Sequence, residues 1–148
     1  MRLFVLFFIF MVGCSNTDVN DSVKKSIKLS YILDMKNRIF SEYKLTHDGD
    51  VVAAYSTTSI FYIAEKNFSE TDYSGIKKKL IENDWKFIHE VNGKDIYCTR
   101  DNEKSLTIAR PRNGSEEFNN DNTVVIRGDK QWNIGFYYGT GIAQDCKL

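Results

Sequence analysis

One proline, two histidines and three cysteines among 148 residues remove several readings at once. A single proline (Pro111) beside 14% aromatic residues is the composition of a folded domain, not of a disordered stalk. The histidines, His47 and His89, stand far apart, and no C-x2-C or H-x3-H spacing accompanies them. Zinc needs three or four clustered ligands, so no metal or other cofactor is expected. G-x-G-x-x-G, Walker-type and G-x-S-x-G patterns are all absent. Triads are set by geometry rather than spacing, so a small hydrolase using either histidine stays as the alternative reading. Lys plus Arg equals Asp plus Glu, at 20 each, for a formal net charge of +0. Without a strongly basic balance, a nucleic-acid partner is not expected.

Long hydrophobic runs are also missing, with one short exception. Leu3 to Val12 is apolar throughout, preceded by Arg2 and followed by Gly13. A positive start, a short apolar stretch and a small residue make the layout of a secretory signal. As a helix the ten residues reach roughly 15 Å, about half of a bilayer's hydrocarbon thickness. The stretch is too short to span. Met11 at −3 is too large for the usual A-x-A processing site.

Met11-Val12-Gly13-Cys14 instead resembles the lipobox of bacterial lipoproteins, in which an aliphatic, a variable and a small residue precede an obligatory cysteine. Met in the first position departs mildly from the usual Leu. The resemblance implies that residues 1–13 are a cleaved signal peptide and that Cys14 carries a thioether-linked diacylglycerol, with an acylated new N-terminus. Two or more acyl chains anchor stably at ~0.8 kcal/mol per buried CH₂. It also implies an address in the bacterial envelope. Ser15, not the Asp that tends to retain lipoproteins at the inner membrane, favours the outer membrane facing the periplasm.

Setting the anchor aside leaves Cys98 and Cys146. Exported chains fold where disulfides persist, and an even pair fits a bridge. That bridge would staple the C-terminal tail onto the strand bearing Cys98, contributing about 2–4 kcal/mol. The alternative is two buried free thiols.

Residues 14–22 are polar and aperiodic, expected as a flexible tether reaching on the order of 15 Å. Residues 23–148 then form a single α+β domain. Val23, Ile27, Tyr31, Met35 and Ile39 recur every four residues, predicting a helix over at least 31–43, capped by Asp21 or Ser22. Ile27, Leu29 and Tyr31 also alternate, which suits a strand. Residues 46–50 read as a turn, and 51–55 and 59–64 as one long or two short strands. Tyr73, Ile76 and Leu80 share one face of a helix over 72–83, with capping residues in 69–72. From Trp85 onward the pattern is a meander. Strands 85–91 and 94–100 flank Asn92-Gly93, a strong hairpin signal. Strands 104–110, 123–127 and 131–138 follow. The expected architecture is α+β, an antiparallel meander sheet of about five to seven strands covered by one or two helices.

Two clusters are candidate binding residues. Arg100, Arg110, Arg112 and Arg127 fall at or near strand ends, either converging on an acidic partner or an anionic polymer, or scattered. Trp132 and Tyr137, with Phe136 and Tyr138, crowd the last strand, as a binding face or, on alternating positions, as core. Gly135, Gly139 and Gly141 beside them suggest a bulge or close strand packing rather than a phosphate loop. The leading expectation is a non-enzymatic, lipid-anchored protein whose domain binds another protein, in an immunity-type or envelope-assembly role. A hydrolase and a purely structural envelope lipoprotein are the alternatives.

Overall fold

A computed structural model describes residues 17–111 and 130–147. In chain order the elements are α1 (Thr17–Ile39), β1 (Thr46–Val52), β2 (Ser56–Ala64), α2 (Glu70–Glu82), β3 (Trp85–Val91), β4 (Lys94–Thr99), β5 (Lys104–Ala109) and β6 (Gln131–Gly139). Single 3₁₀ turns occupy Glu65–Asn67 and Gln144–Cys146. The strands form one antiparallel sheet ordered β1-β2-β6-β5-β4-β3, so the fold is α+β with a meander-like sheet. Among the described residues, no helix is long and apolar enough to cross a membrane.

Alternation along the strands decides which face is core. β2 alternates half-buried and buried residues without interruption, and β6 nearly so. That period puts every second side chain on one face. Register then assembles rows across the sheet: Phe61 beside Ile134 beside Ile108, and Phe136 beside Leu106 beside Tyr97. Both helices cover this face. α1 supplies Ile32, Met35 and Ile39, and α2 supplies Tyr73, Ile76 and Leu80, at the three- and four-residue spacing of one helical stripe. Each such side chain, buried fully, stabilises by about 1.5–3 kcal/mol.

Local chemistry sets the ends of α2. Ser69 and Asp72 form a reciprocal cap: the Asp72 N–H donates to Ser69 Oγ, and the Ser69 N–H donates to Asp72 Oδ2. Two of the orphan donors at the helix start are thereby satisfied. The β3–β4 hairpin turns at Asn92 and Gly93, whose φ values of 50° and 70° are those a two-residue hairpin turn demands.

Several sequence expectations need correction. α1 begins at Thr17, inside the stretch 14–22 expected as a tether. Residues 17–39 contain neither Gly nor Pro to interrupt a helix. At its other end α1 stops at Ile39, short of residue 43. Phe40 instead packs edge-on to Phe136, and Tyr43 edge-on to Phe68, so tertiary packing overrides helix periodicity. Residues 46–50 are strand, not turn. β1 is an edge strand with a register shift between His47 and Gly49, and its mostly exposed residues have no alternation for sequence reasoning to detect. The expected strand 123–127 and the segment 1–13 lie outside the described residues; β5 pairs directly with β6.

Candidate functional site

Two of the four arginines can be placed, and they do not converge. Arg100 follows the end of β4 and Arg110 the end of β5. Those strands run antiparallel, so the two residues leave the sheet at opposite ends. Arg100 is exposed and meets exposed Asp84 at 3.6 Å, a pair contributing little. Arg112, Arg127 and Cys14 lie outside the described residues.

Arg110 is engaged in the core. Its guanidinium holds Asp95, only 1% exposed, through Nη1 to Oδ1 at 3.0 Å and Nη2 to Oδ2 at 3.3 Å. The Tyr73 hydroxyl donates to Asp95 Oδ2 at 2.5 Å, and the Tyr97 hydroxyl lies 3.0 Å from that of Tyr73. Lys77 approaches Asp95 Oδ2 at 3.3 Å, and Glu70 binds Arg110 Nε at 3.2 Å. Burial alone pushes the Asp95 carboxyl upward in pKa. Hydrogen bonds from Arg110 and Tyr73, with the charges of Arg110 and Lys77, outweigh it and hold the group below its ordinary value. Burial, with the hydrogen bonds to Asp95 and Tyr97, raises the Tyr73 hydroxyl. The cluster ties α2, β4 and the end of β5 together, and it uses its charges internally. It is a staple of the fold.

A buried cation, Lys104, sits at the opposite end of the sheet. Lys104 Nζ bonds Asp101 Oδ2 at 2.8 Å and lies 4.6 Å from the Tyr138 ring centroid and 5.4 Å from that of Tyr31. Burial works against the Asp101 carboxylate, but bonds from Lys104, Thr99 and the Glu103 N–H prevail and bring it to about 2. Tyr31, Thr99, Asp101 and Lys104 border an open groove of about 650 Å³, also lined by Arg38, which pairs with Asp34, and by Arg100, which pairs with Asp84. Each cation there has its acid.

The aromatic cluster divides between the two faces. Trp132 and Phe136 are buried under the helices, so Trp132 belongs to the core and not to a binding surface. Tyr138 packs at the edge of that core. Tyr137 faces the other side, packing against a smaller cluster of Ile96, Cys98, Ala143 and Cys146. Its ring lies over Gly139, where an added Cβ would fall 2.3 Å from the Tyr137 hydroxyl oxygen. Close packing, not phosphate binding, accounts for that glycine. The disulfide Cys98–Cys146, with Cα atoms 6.0 Å apart, fastens the tail over β4 on this same face.

Among the described residues, nothing beyond the tail covers the second face. Register places Ile60, Gly135, Thr107 and Ile96 in one row, and Tyr62, Asn133, Ala109 and Lys94 in the next. Ile60, Tyr62, Asn133, Gly135 and Thr107 are half-exposed. No atom lies within 4 Å of where a Gly135 Cβ would be, leaving a dip in the central strand between Ile60 and Thr107. Sequence reading missed this surface because half-exposed polar and apolar residues on a central strand have no distinctive pattern. The interrupted run in Gln131–Gly139, with glycine at its centre, was the available signal.

The histidines stay apart. His47 Nε2 lies 2.9 Å from Asp50 Oδ1 on the exposed edge strand, and its ring packs near Phe61. Among the described residues, no Ser or Thr hydroxyl bonds to either imidazole. Nor do the described residues contain a group of three His, Cys, Asp or Glu side chains arranged to hold a metal ion. No family model matches the chain, and no match was found among the curated proteins or the solved structures.

Proposed function

We propose that this is a lipid-anchored protein of the bacterial envelope whose α+β domain binds another protein through the open sheet face, without catalysis. The observation that carries the reading is the registered surface around Ile60, Gly135 and Thr107, left uncovered by both helices. Mixed apolar and polar composition of this kind is ordinary for a non-obligate interface. The lipobox-like Met11-Val12-Gly13-Cys14 supports the anchor, and Ser15 favours the outer membrane facing the periplasm. The disulfide is at home in that compartment. Arg100 and Arg110 lie outside this surface: Arg110, partly exposed, pairs with Asp95, and exposed Arg100 stands at the other end of the sheet.

Two uses fit, an immunity-type inhibitor of an arriving toxin and an accessory to envelope assembly. Deletion separates them: an immunity protein's loss kills only in the toxin's presence, whereas an accessory's loss disturbs the envelope without it. The binding surface itself is tested by photo-crosslinking in intact cells. Probes at Ile60 and Thr107 should capture one protein of discrete mass, and a probe at exposed Ser30 on α1 should not. Equal capture from both faces, or none from the sheet, contradicts the assignment.

A further inference from the structure

The C-terminal tail divides the second sheet face into a covered and a bare part. The disulfide holds the tail over β4 at Cys98, and Asp145 reaches Ser105 of β5. Among the described residues, what stays bare of the tail on this face is β1, β2, β6 and β5 at Thr107. The midline of those four strands runs between β2 and β6. There Ile60 pairs with Gly135, a bulky residue beside a bare one. The same row continues outward to Gly49 of β1 and Thr107 of β5. Nothing lies within 4 Å of where a Cβ on Gly49 or Gly135 would stand. Read across the sheet, the row is gap, knob, gap, knob: Gly49, Ile60, Gly135, Thr107.

Such a row is complementary to itself. A two-fold axis parallel to the strands, midway between β2 and β6, carries β2 of one copy over β6 of the other and β1 over β5. Ile60 then enters the gap at Gly135 of the second copy, and Thr107 the gap at Gly49. Each contact occurs twice, as an isologous interface requires. An axis across the strands at this row would instead set Ile60 on Ile60. The neighbouring row agrees, since Tyr62 pairs with Asn133 and the axis sets that ring over the amide of the other copy. Twisted sheets pack face to face in this way, about 10 Å apart with strands nearly aligned. Charge agrees as well. Gly49, Ile60, Tyr62, Thr107, Asn133 and Gly135 carry none, so self-contact brings no like charges together. β4 of one copy falls just outside β1 of the other. On this face β4 begins with Lys94, and β1 carries exposed Asp48 between Thr46 and Gly49, so base meets acid at both rims.

We propose that this face is closed by a second copy of the chain, packed sheet to sheet about that axis. The inference rests on the reading of the face as a binding surface, and it adds the regulation of that surface. In the dimer the face is covered, and another protein must displace the second copy to reach it. The tail, seated beyond the Thr107 row toward Cys98, limits the contact at that end. A patch four strands wide belongs to the low end of specific interfaces, which suits a contact that is displaced.

The test exchanges knob and gap. The whole chain, purified as cells process it, is followed by sedimentation equilibrium in density-matched detergent, with circular dichroism checking the fold of each variant. Wild type should show a concentration-dependent dimer. Gly135→Ile sets one isoleucine against Ile60 of the other copy and should weaken the dimer about tenfold or more. Ile60→Gly should weaken it too, by leaving the gap at Gly135 unfilled. The double variant Ile60→Gly with Gly135→Ile restores knob and gap in exchanged places. Its dissociation constant should return to within about threefold of wild type, because the two sites are coupled across the axis. Ile81→Lys, at an exposed position on α2, should change nothing. A chain monomeric at every concentration overturns the inference, and so does a dimer in which the double variant is no tighter than the single ones. Crosslinking from Ile60 in cells tells the two readings apart. A monomer that captures a different protein loses the dimer and keeps the binding face, whereas a monomer that captures nothing loses both.

Discussion

Arg110 grips Asp95 with two nitrogens, closing a bidentate pair across 15 residues of sequence and drawing the end of β5 onto the start of β4. Because Asp95 is buried while Arg110 keeps partial access to solvent, the pair is best judged by what its rupture leaves behind. Replacing Asp95 by Ala strands Tyr73 and Arg110 without their acceptor. A loss of about 3 kcal/mol is expected, the lower end for breaking a buried ion pair. The urea midpoint of Asp95→Ala against wild type at neutral pH measures it, and a shift within error would show the cluster to be incidental.

The same carboxylate sets the acid limit of stability. Asp95 and Asp101 both titrate below their ordinary range in the folded chain, Asp101 at about 2. A depressed folded pKa means the stabilisation is present above the unfolded value and lost as pH falls through the folded one. Stability should hold from neutrality down to about pH 4 and then decline toward pH 2. Urea titrations at a series of pH values test this, and Asp95→Asn should flatten the decline.

Reducing the Cys98–Cys146 bridge, which closes a separation of 48 residues, should lower stability by about 2–4 kcal/mol. The tail is also held by the Ala143 N–H donating to the Asn102 carbonyl, so the native sheet should survive reduction. Hydrogen exchange should accelerate first over residues 140–147. Uniform acceleration through β4 and β5 would mean that the bridge supports the whole sheet.

Gly139→Ala pushes a methyl into the Tyr137 ring and should cost about 1–3 kcal/mol. Combined with Tyr137→Ala, the added methyl should cost far less, since the two sites are in contact and their effects do not add. A double-mutant cycle by thermal unfolding reads the coupling. Additive effects would place the Tyr137 ring elsewhere.

Gly135→Lys offers the converse case. Nothing occupies the space a side chain would enter, and the backbone there is not left-handed, so stability should change by less than about 1 kcal/mol. Crosslinking to the partner from Ile60 and Thr107 should nevertheless be lost. Unchanged crosslinking would move the interface off this face.

Patterns that depend on a neighbour in sequence were legible, and those that depend on a neighbour in space were not. Tyr73, Ile76 and Leu80 announced α2, and Asn92-Gly93 announced its hairpin, because both signals are local. Asp95 alternates with Tyr97 and Thr99, which marks it as core-facing, but only strand register and chain direction bring Arg110 to it. The same directionality separates Arg100 from Arg110, which sequence alone had allowed to converge. Phe40 carries the apolar character of a continuing helix, yet it closes the last turn of α1 through its N–H to the Lys36 carbonyl and packs against Phe136. The exposed run at 51–55 reads as strand by composition; its exposure becomes visible only once β2, β6 and α1 are in place.

The envelope anchor stands or falls with Cys14, and the intact mass of the protein from native membranes, taken with and without reduction before thiol alkylation, tests it directly. The expected mass is that of residues 14–148 plus acyl groups, with two thiols labelled only after reduction. An uncleaved, unlipidated mass with freely labelled thiols would contradict the anchor and the compartment together.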